Sequence, residues 1–237
     1  MIVKDIQDFP GLVLANSTIE RGSMPRANGT SQKKLSNRAE FLSFLGFDAG
    51  KICQARPVHG SWVSFVTDDY SQGVPEADIL MTNYPNRPLA IAMADCFPVF
   101  LWASAKRAVC LIHAGWRGTV REYVIPTAVQ LFLWEYSLQS NQISAFIGPG
   151  IRKCCFEVRN DENGLPNFVS WPAFILGSNG RHFADLAGII KEQLYRSGIP
   201  NIRNCGECTY CSPRGFFSFR RDKNSLRNLA VAGFLES

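Results

Sequence analysis

The chain has 237 residues, 46% of them hydrophobic, and a formal net charge of +5. This length and composition suit one large domain with a substantial core. The apolar runs "LAIAMA" and "FPVFLWA" stop well short of the roughly 20 residues of a membrane helix, and "MIVKDIQDFPG" lacks a signal-peptide layout, so no membrane association and a cytoplasmic location are expected. The basic residues are dispersed, which predicts no nucleic-acid partner and suits a small anion such as phosphate. Oligomeric state has no signature in the sequence.

In chain order, "GLVLANST" (11–18) reads as a strand and "SMPRANGTSQ" as a loop. Leu35, Ala39, Leu42 and Leu45 recur at helical spacing, with Gly46 as the stop. "SWVSFV", "ADILMT", "LAIAMA" and "AVCLIHA" read as strands, several of them apolar on both faces as in a covered sheet. Thr119 and Glu122 have the spacing of a capping box for a helix over 119–137, with Pro126 predicting a kink or a broken start. "ISAFIG" is a strand, and "HFADLAGIIKEQLYRSG" is an amphipathic helix ending at Gly198. "FFSFRR" and "LAVAGFL" read as closing strands. The expected fold is α+β with mixed α/β layers, a single domain over 1–237 with covered mixed sheets.

Three segments place a reactive side chain at a strand end: "RPVHG" supplies His59, "MADCFPV" supplies Cys96 and "IHAGW" supplies His113. Two imidazoles and a thiolate form a three-ligand set of the kind that holds Zn²⁺ with a fourth position open. The separations of 37 and 17 residues are long, so the ligands meet only by folding. The same residues also fit a metal-free nucleophile pair, with Cys96 as thiolate and His113 as base. Residue chemistry leaves both readings open, beside the ordinary one of buried core side chains.

The ordered motifs "VHG", "ADCFPVFL", "HAGWRGT", "IGPGIRKCCFEV" and "CTYC" followed by "FFSFRRD" resemble the YfiH/laccase-domain family, a polyphenol-oxidase-like group that includes purine nucleoside phosphorylases. The resemblance is densest over 56–222. It implies a YfiH-like fold, with His59, Cys96 and His113 as zinc ligands and catalytic residues. It further implies an enzyme acting on a purine nucleoside and phosphate: phosphorolysis of adenosine, inosine, guanosine or methylthioadenosine, and adenosine deamination. The alternatives are a Cys–His hydrolase acting on a peptidoglycan-precursor amide, a copper-dependent polyphenol oxidase, and a non-catalytic nucleoside-binding homologue. Copper at the zinc position is the lesser expectation, because three histidines cannot furnish a conventional multicopper set. The sequence departs from the family pattern at Pro57, Met93 and Ile19, where Gln, Thr and Arg are usual; Arg21 or Arg26 could stand in for the missing arginine.

Arg117, between two glycines, is a candidate for binding phosphate or ribose, with an ion pair to Asp95 or Glu122 as its structural alternative. Arg152 and Arg220 are further substrate-binding candidates; in a strand, Arg220 and Arg221 would face opposite ways. Cys205, Cys208 and Cys211 in "CGECTYC" have metal-motif spacing but no fourth ligand nearby in sequence, so packing or a reduced surface loop is expected. Cys154 and Cys155 are assigned to packing. His182 is expected at a helix start, as a cap or surface residue.

Overall fold

Alternation within the apolar runs builds two large sheets that share one face. The computed structural model describes residues 2–6, 9–69, 73–158, 175–178 and 180–236. The first sheet holds, in spatial order, β1 (Ile2–Ile6), β2 (Phe9–Asn16), β14 (Asn228–Phe234), β6 (Leu89–Met93) and β3 (Cys53–Ala55). The second holds β13 (Asn201–Asn204), β9 (Ser144–Ile147), β7 (Phe97–Ala103), β8 (Ala108–Ala114), β5 (Ile79–Thr82) and β4 (Val63–Phe65). A small third sheet joins β10 (Glu157–Val158), β12 (Arg181–Ala184) and β11 (Ile175–Ser178). Parallel pairs (β3–β6, β4–β5, β9–β13) sit beside antiparallel ones, so the two large sheets are mixed.

The period of two sorts the side chains. From β7 and β8, Phe100, Trp102, Val109 and Leu111 meet Leu89, Ile91, Ala230 and Ala232 of the first sheet in an inter-sheet core. The alternate residues Val99, Leu101, Cys110 and Ile112 face away and pack with Val129 and Phe132 of α3 (Val124–Glu135) and Ile190 and Leu194 of α4 (Leu186–Arg196). On the outer face of the first sheet, Ala90, Ala92 and Val231 pack with Phe41, Leu42 and Leu45 of α1 (Gln32–Leu45). The result is an α/β/β/α stack. It explains why "LAIAM" is apolar throughout and "AVCLIHA" is apolar up to His113: both faces of each strand are covered.

Gly46 ends α1 as expected. At φ 95° it takes the left-handed conformation, and its N–H donates to Leu42 and Ser43 carbonyls. Three expectations need correction. The helix over 119–137 is two helices, α2 (Trp116–Val120) and α3, separated by Tyr123 in the left-handed region at φ 50°. Thr119 lies inside α2, buried, with no hydrogen-bond partner for its hydroxyl among the described residues, and caps nothing. Pro126 falls in the first turn of α3, where a missing N–H removes no helical bond.

The second correction concerns "FFSFRR", which is no strand. Phe216 and Phe217 are buried, and Ser218 then caps the single turn α5 (Phe219–Asp222), its hydroxyl accepting from the Arg221 N–H. The third concerns His182, which sits in β12 opposite Val158 and Gly177. The helix begins beyond it, and Asp185 is the cap, accepting from the Gly188 N–H at 2.9 Å. No helix among the described residues is long and apolar enough to cross a membrane.

Candidate metal centre

His113 lies on β8 two residues beyond Leu111, so its side chain points into the inter-sheet layer at the layer's end. Its backbone N–H donates to the Asp78 carbonyl at 2.8 Å. Cys96 immediately precedes β7 and packs against the same layer. His59 comes from the connection between β3 and β4 and takes φ 62°, a left-handed turn that carries its ring back over the sheet end. The ligand atoms of the three residues all lie within 4.8 Å of one another. The two imidazoles are 4.9 Å apart and nearly perpendicular.

One residue not identified from the sequence organises this set. Asp78, just before β5, is fully buried and holds His113 Nδ1 at 2.8 Å. It also accepts the N–H groups of His59 at 3.0 Å and Gly60 at 2.9 Å. One carboxylate therefore fixes two of the three ligands: it turns His113 Nε2 toward the cleft and pins the backbone that carries His59. Its only sequence signal is a charged residue opening the otherwise apolar run "ADILMT".

The electrostatics favour a thiolate. Burial alone would raise the Cys96 pKa, but the charge and hydrogen bonds of His113, followed by those of His59, outweigh it and bring the thiol down to about 6. Conversely, without a metal, Cys96 and Asp78 together overcome the burial of His113 and raise its pKa to about 10; a bound cation would displace the proton from the nitrogen facing Cys96. For Asp78 too, burial acts upward, but the contacts to His113, Gly60 and His59 win and leave its carboxyl below the ordinary range. Space fits as well: a Cβ at Gly115 would stand 3.0 Å from Cys96 Sγ and 3.6 Å from both rings, so glycine keeps this cradle open. One thiolate and two imidazoles around such a gap suit a thiophilic metal ion.

The centre lies in a cleft of about 850 Å³. Arg117 lines it, its guanidinium 4.7 Å over the Trp116 ring. Asp95, its suggested structural partner, instead accepts from the Thr209 hydroxyl and the Arg220 N–H. Arg220 lines the cleft and donates from Nη1 to the Glu157 carbonyl at 2.6 Å. Arg221 turns away to the carbonyls of Thr209, Tyr210 and Phe216. Arg152 is not among the lining residues; its guanidinium is held by the Asn204 side chain and the Glu207 carbonyl.

Arg26 and Arg227 complete the cationic wall. Burial, and then the neighbouring Arg26, pull the Arg227 guanidinium below its usual range. Arg26 was foreseen only as a stand-in for a missing arginine, and Arg227 had no signal in the sequence. Of the departures from the family pattern, Pro57 and Met93 line the cleft, whereas Ile19 does not. Cys208 and Cys155 pack against the helix-side core and Cys211 is an exposed free thiol, in keeping with packing or a reduced surface loop, whereas Cys154 is exposed; the four also form a second cluster, the partners of Cys208 and Cys211 coming from a distant turn.

Fold and site define a class: mixed-sheet α+β proteins with a two-histidine, one-cysteine centre in a cationic cleft. A family model described as multi-copper polyphenol oxidoreductase laccase matches residues 26–234, and the chain belongs to that family. It is 32% identical over 198 residues to a purine nucleoside phosphorylase of Deinococcus radiodurans, covering 83% of this chain and 76% of that one. It is 30% identical over 223 residues to purine nucleoside phosphorylase YlmD of Geobacillus stearothermophilus, covering 84% and 78%. The crystal structure of YlmD from Geobacillus stearothermophilus superimposes with a TM-score of 0.85 at 28% identity, covering 99% of this chain and 96% of that one. That of Bacillus licheniformis YfiH superimposes with a TM-score of 0.80 at 26% identity, covering 95% and 91%. The family description invokes several coppers, yet the chain has three histidines, and the third, His182, is outside the cleft lining.

Proposed function

We propose that this chain is a zinc-dependent purine nucleoside phosphorylase. The observation that carries the reading is the joining, in one cleft, of the His59–Cys96–His113 set and the guanidinium groups of Arg26, Arg117, Arg220 and Arg227. Relatives named purine nucleoside phosphorylase support it. Crowded guanidinium groups are stabilised by an anion that neutralises them. Inorganic phosphate is such an anion, and Trp116, Phe156 and Phe219 on the same walls offer apolar surface to a purine.

In the reaction, a phosphate oxygen bonds to ribose C1′ as the C1′–N9 bond breaks. The purine leaves with the proton that phosphate gives up. Zinc held at the centre would supply Lewis acidity in the cleft. The arginines hold the attacking phosphate in place and offset its charge. Asp78 keeps the His113 Nδ1 proton, so the other ring nitrogen faces the centre. Deamination of adenosine is a second activity proposed for the same cleft.

A metal-free hydrolase is the competing reading, and one observation favours it: Asp78, His113 and Cys96 are connected as an orienting acid, a base and a nucleophile. It leaves His59 without a role. Incubation of the protein with inosine and adenosine, with and without phosphate, and chromatography of the products distinguish these chemistries. Free purine and ribose 1-phosphate should form only with phosphate. Inosine appearing from adenosine without phosphate reports deamination. No phosphate-dependent product from any purine nucleoside would refute the phosphorylase.

The arginine wall carries its own prediction. A charge-assisted hydrogen bond contributes about 1.5–3 kcal/mol, so Arg117→Ala and Arg227→Gln should each raise KM for phosphate roughly 10- to 100-fold. Steady-state kinetics with varied phosphate check this. An unchanged phosphate KM in both variants would place the anion elsewhere.

A further inference from the structure

A second cysteine cluster lies outside the catalytic centre. Cys154 and Cys155 occupy a turn after β9, closed by the Cys155 and Phe156 N–H groups donating to the Arg152 carbonyl at 2.8 and 2.7 Å. Adjacent side chains on a strand would diverge; on this turn both sulfurs reach the same point. Cys208 and Cys211 come from the turn after β13, closed by the Ser212 N–H donating to the Cys208 carbonyl at 2.9 Å. The two turns are joined by a parallel bridge between Gly150 and Cys208.

All four sulfurs lie within 4.8 Å of one another. Cys154 Sγ and Cys211 Sγ are 3.8 Å apart. Four thiolates at 2.3 Å from one zinc in a tetrahedron would have edges of about 3.8 Å. Cys208 Sγ also accepts the N–H groups of Arg152, Tyr210 and Cys211. Amide donors converging on one sulfur stabilise a thiolate, the form that ligates metal.

We infer that Cys154, Cys155, Cys208 and Cys211 form a second metal site, a closed four-thiolate centre that holds a structural zinc ion. A full set of sulfur ligands leaves no position for a substrate. The ion would tie together two loops that support the cleft wall. Ile151 donates its N–H to the Asp95 carbonyl at 2.8 Å, and the Thr209 hydroxyl donates to the Asp95 carboxylate at 2.7 Å. Asp95 in turn holds the Arg220 N–H and adjoins Cys96. The cluster is therefore a brace for the cleft.

The test is zinc content by elemental mass spectrometry on the full chain purified from zinc-supplemented cells. Wild type should hold one zinc for each of the two ligand groups found among the described residues. Cys154→Ser/Cys211→Ser should lose one equivalent and keep the other, and His59→Ala should lose the other equivalent alone. The two losses are thus read separately, so failure of the catalytic-zinc reading is distinguishable from failure of this one. In cobalt-loaded protein, the visible bands of a tetrahedral tetrathiolate should persist in His59→Ala and vanish in the double serine variant. As a check that needs no variant, Cys154 and Cys211, although exposed, should resist iodoacetamide until a strong chelator is added. Their prompt alkylation without chelator would overturn the site. So would wild-type metal content in the serine variant, or disulfides among these cysteines in the non-reduced intact mass.

Discussion

Replacing His59 with alanine is expected to reduce phosphorolysis by at least about 100-fold, because loss of a ligand should exceed the 10- to 100-fold cost typical of losing a ligand's supporting partner. The fold should survive. His59 lies on a connection at the cleft, outside the three core clusters, so its ring supports the centre more than the packing. The catalytic equivalent of zinc should disappear with activity, and Cys96, already inclined to ionise by His113, should become open to alkylation. A Cys96–His113 hydrolase predicts no change on substitution: activity retained, and Cys96 alkylated in wild type and variant alike, because His59 has no part in the pair. Activity, metal content and mapped alkylation on one preparation decide between them.

Asp78→Asn is expected to be nearly as damaging, through geometry. The carboxylate accepts from three N–H groups in a fully buried position. An amide of the same shape turns one acceptor into a donor and sets N–H against N–H, whichever way it flips. If the amide nitrogen meets His113, the imidazole changes tautomer and its metal-facing nitrogen carries a proton. If it takes the Oδ2 place, it meets the Gly60 N–H, and the turn carrying His59 loses that bond. Metal affinity should fall about 10- to 100-fold. One buried group left unpaired costs about 1–3 kcal/mol, and at this size each kcal/mol lowers Tm by roughly 2–4 °C. Metal titration and thermal melts check both effects. Wild-type zinc affinity in Asp78→Asn would show that the His113 orientation does not depend on this carboxylate.

The strands most readable from sequence are those covered on both faces. β6, β8 up to Ile112 and β14 from Leu229 stand out as apolar runs, because the stack buries both sides of each. Short strands such as β3 and β13 were not foreseen: three or four residues carry too little pattern to separate from a loop. "FFSFRR" misled for a related reason. Its aromatics have strand propensity, but Phe216 and Phe217 are buried without pairing in a sheet, and the Ser218 cap then starts a helical turn.

His59, Cys96 and His113 were legible as reactive side chains at the ends of apolar runs, and the structure brings them together. Their orientation was not, because it depends on Asp78, a residue 35 positions before His113. The second cysteine cluster was hidden by separation too. Cys208-x-x-Cys211 lacks two ligands locally, and Cys154 and Cys155 supply them across the Gly150–Cys208 bridge. Arg227 gave no sign because nothing in "SLRNLA" distinguishes an arginine that lines a cleft from one on an open surface.

The most direct test of the central claim is to follow inosine phosphorolysis while zinc is removed from the wild-type protein and returned. A chelator that empties the His59–Cys96–His113 centre should abolish turnover and expose Cys96 to alkylation, and added Zn²⁺ should restore activity in proportion to the occupancy of that centre. Full phosphorolysis by protein shown to contain no metal would contradict the account.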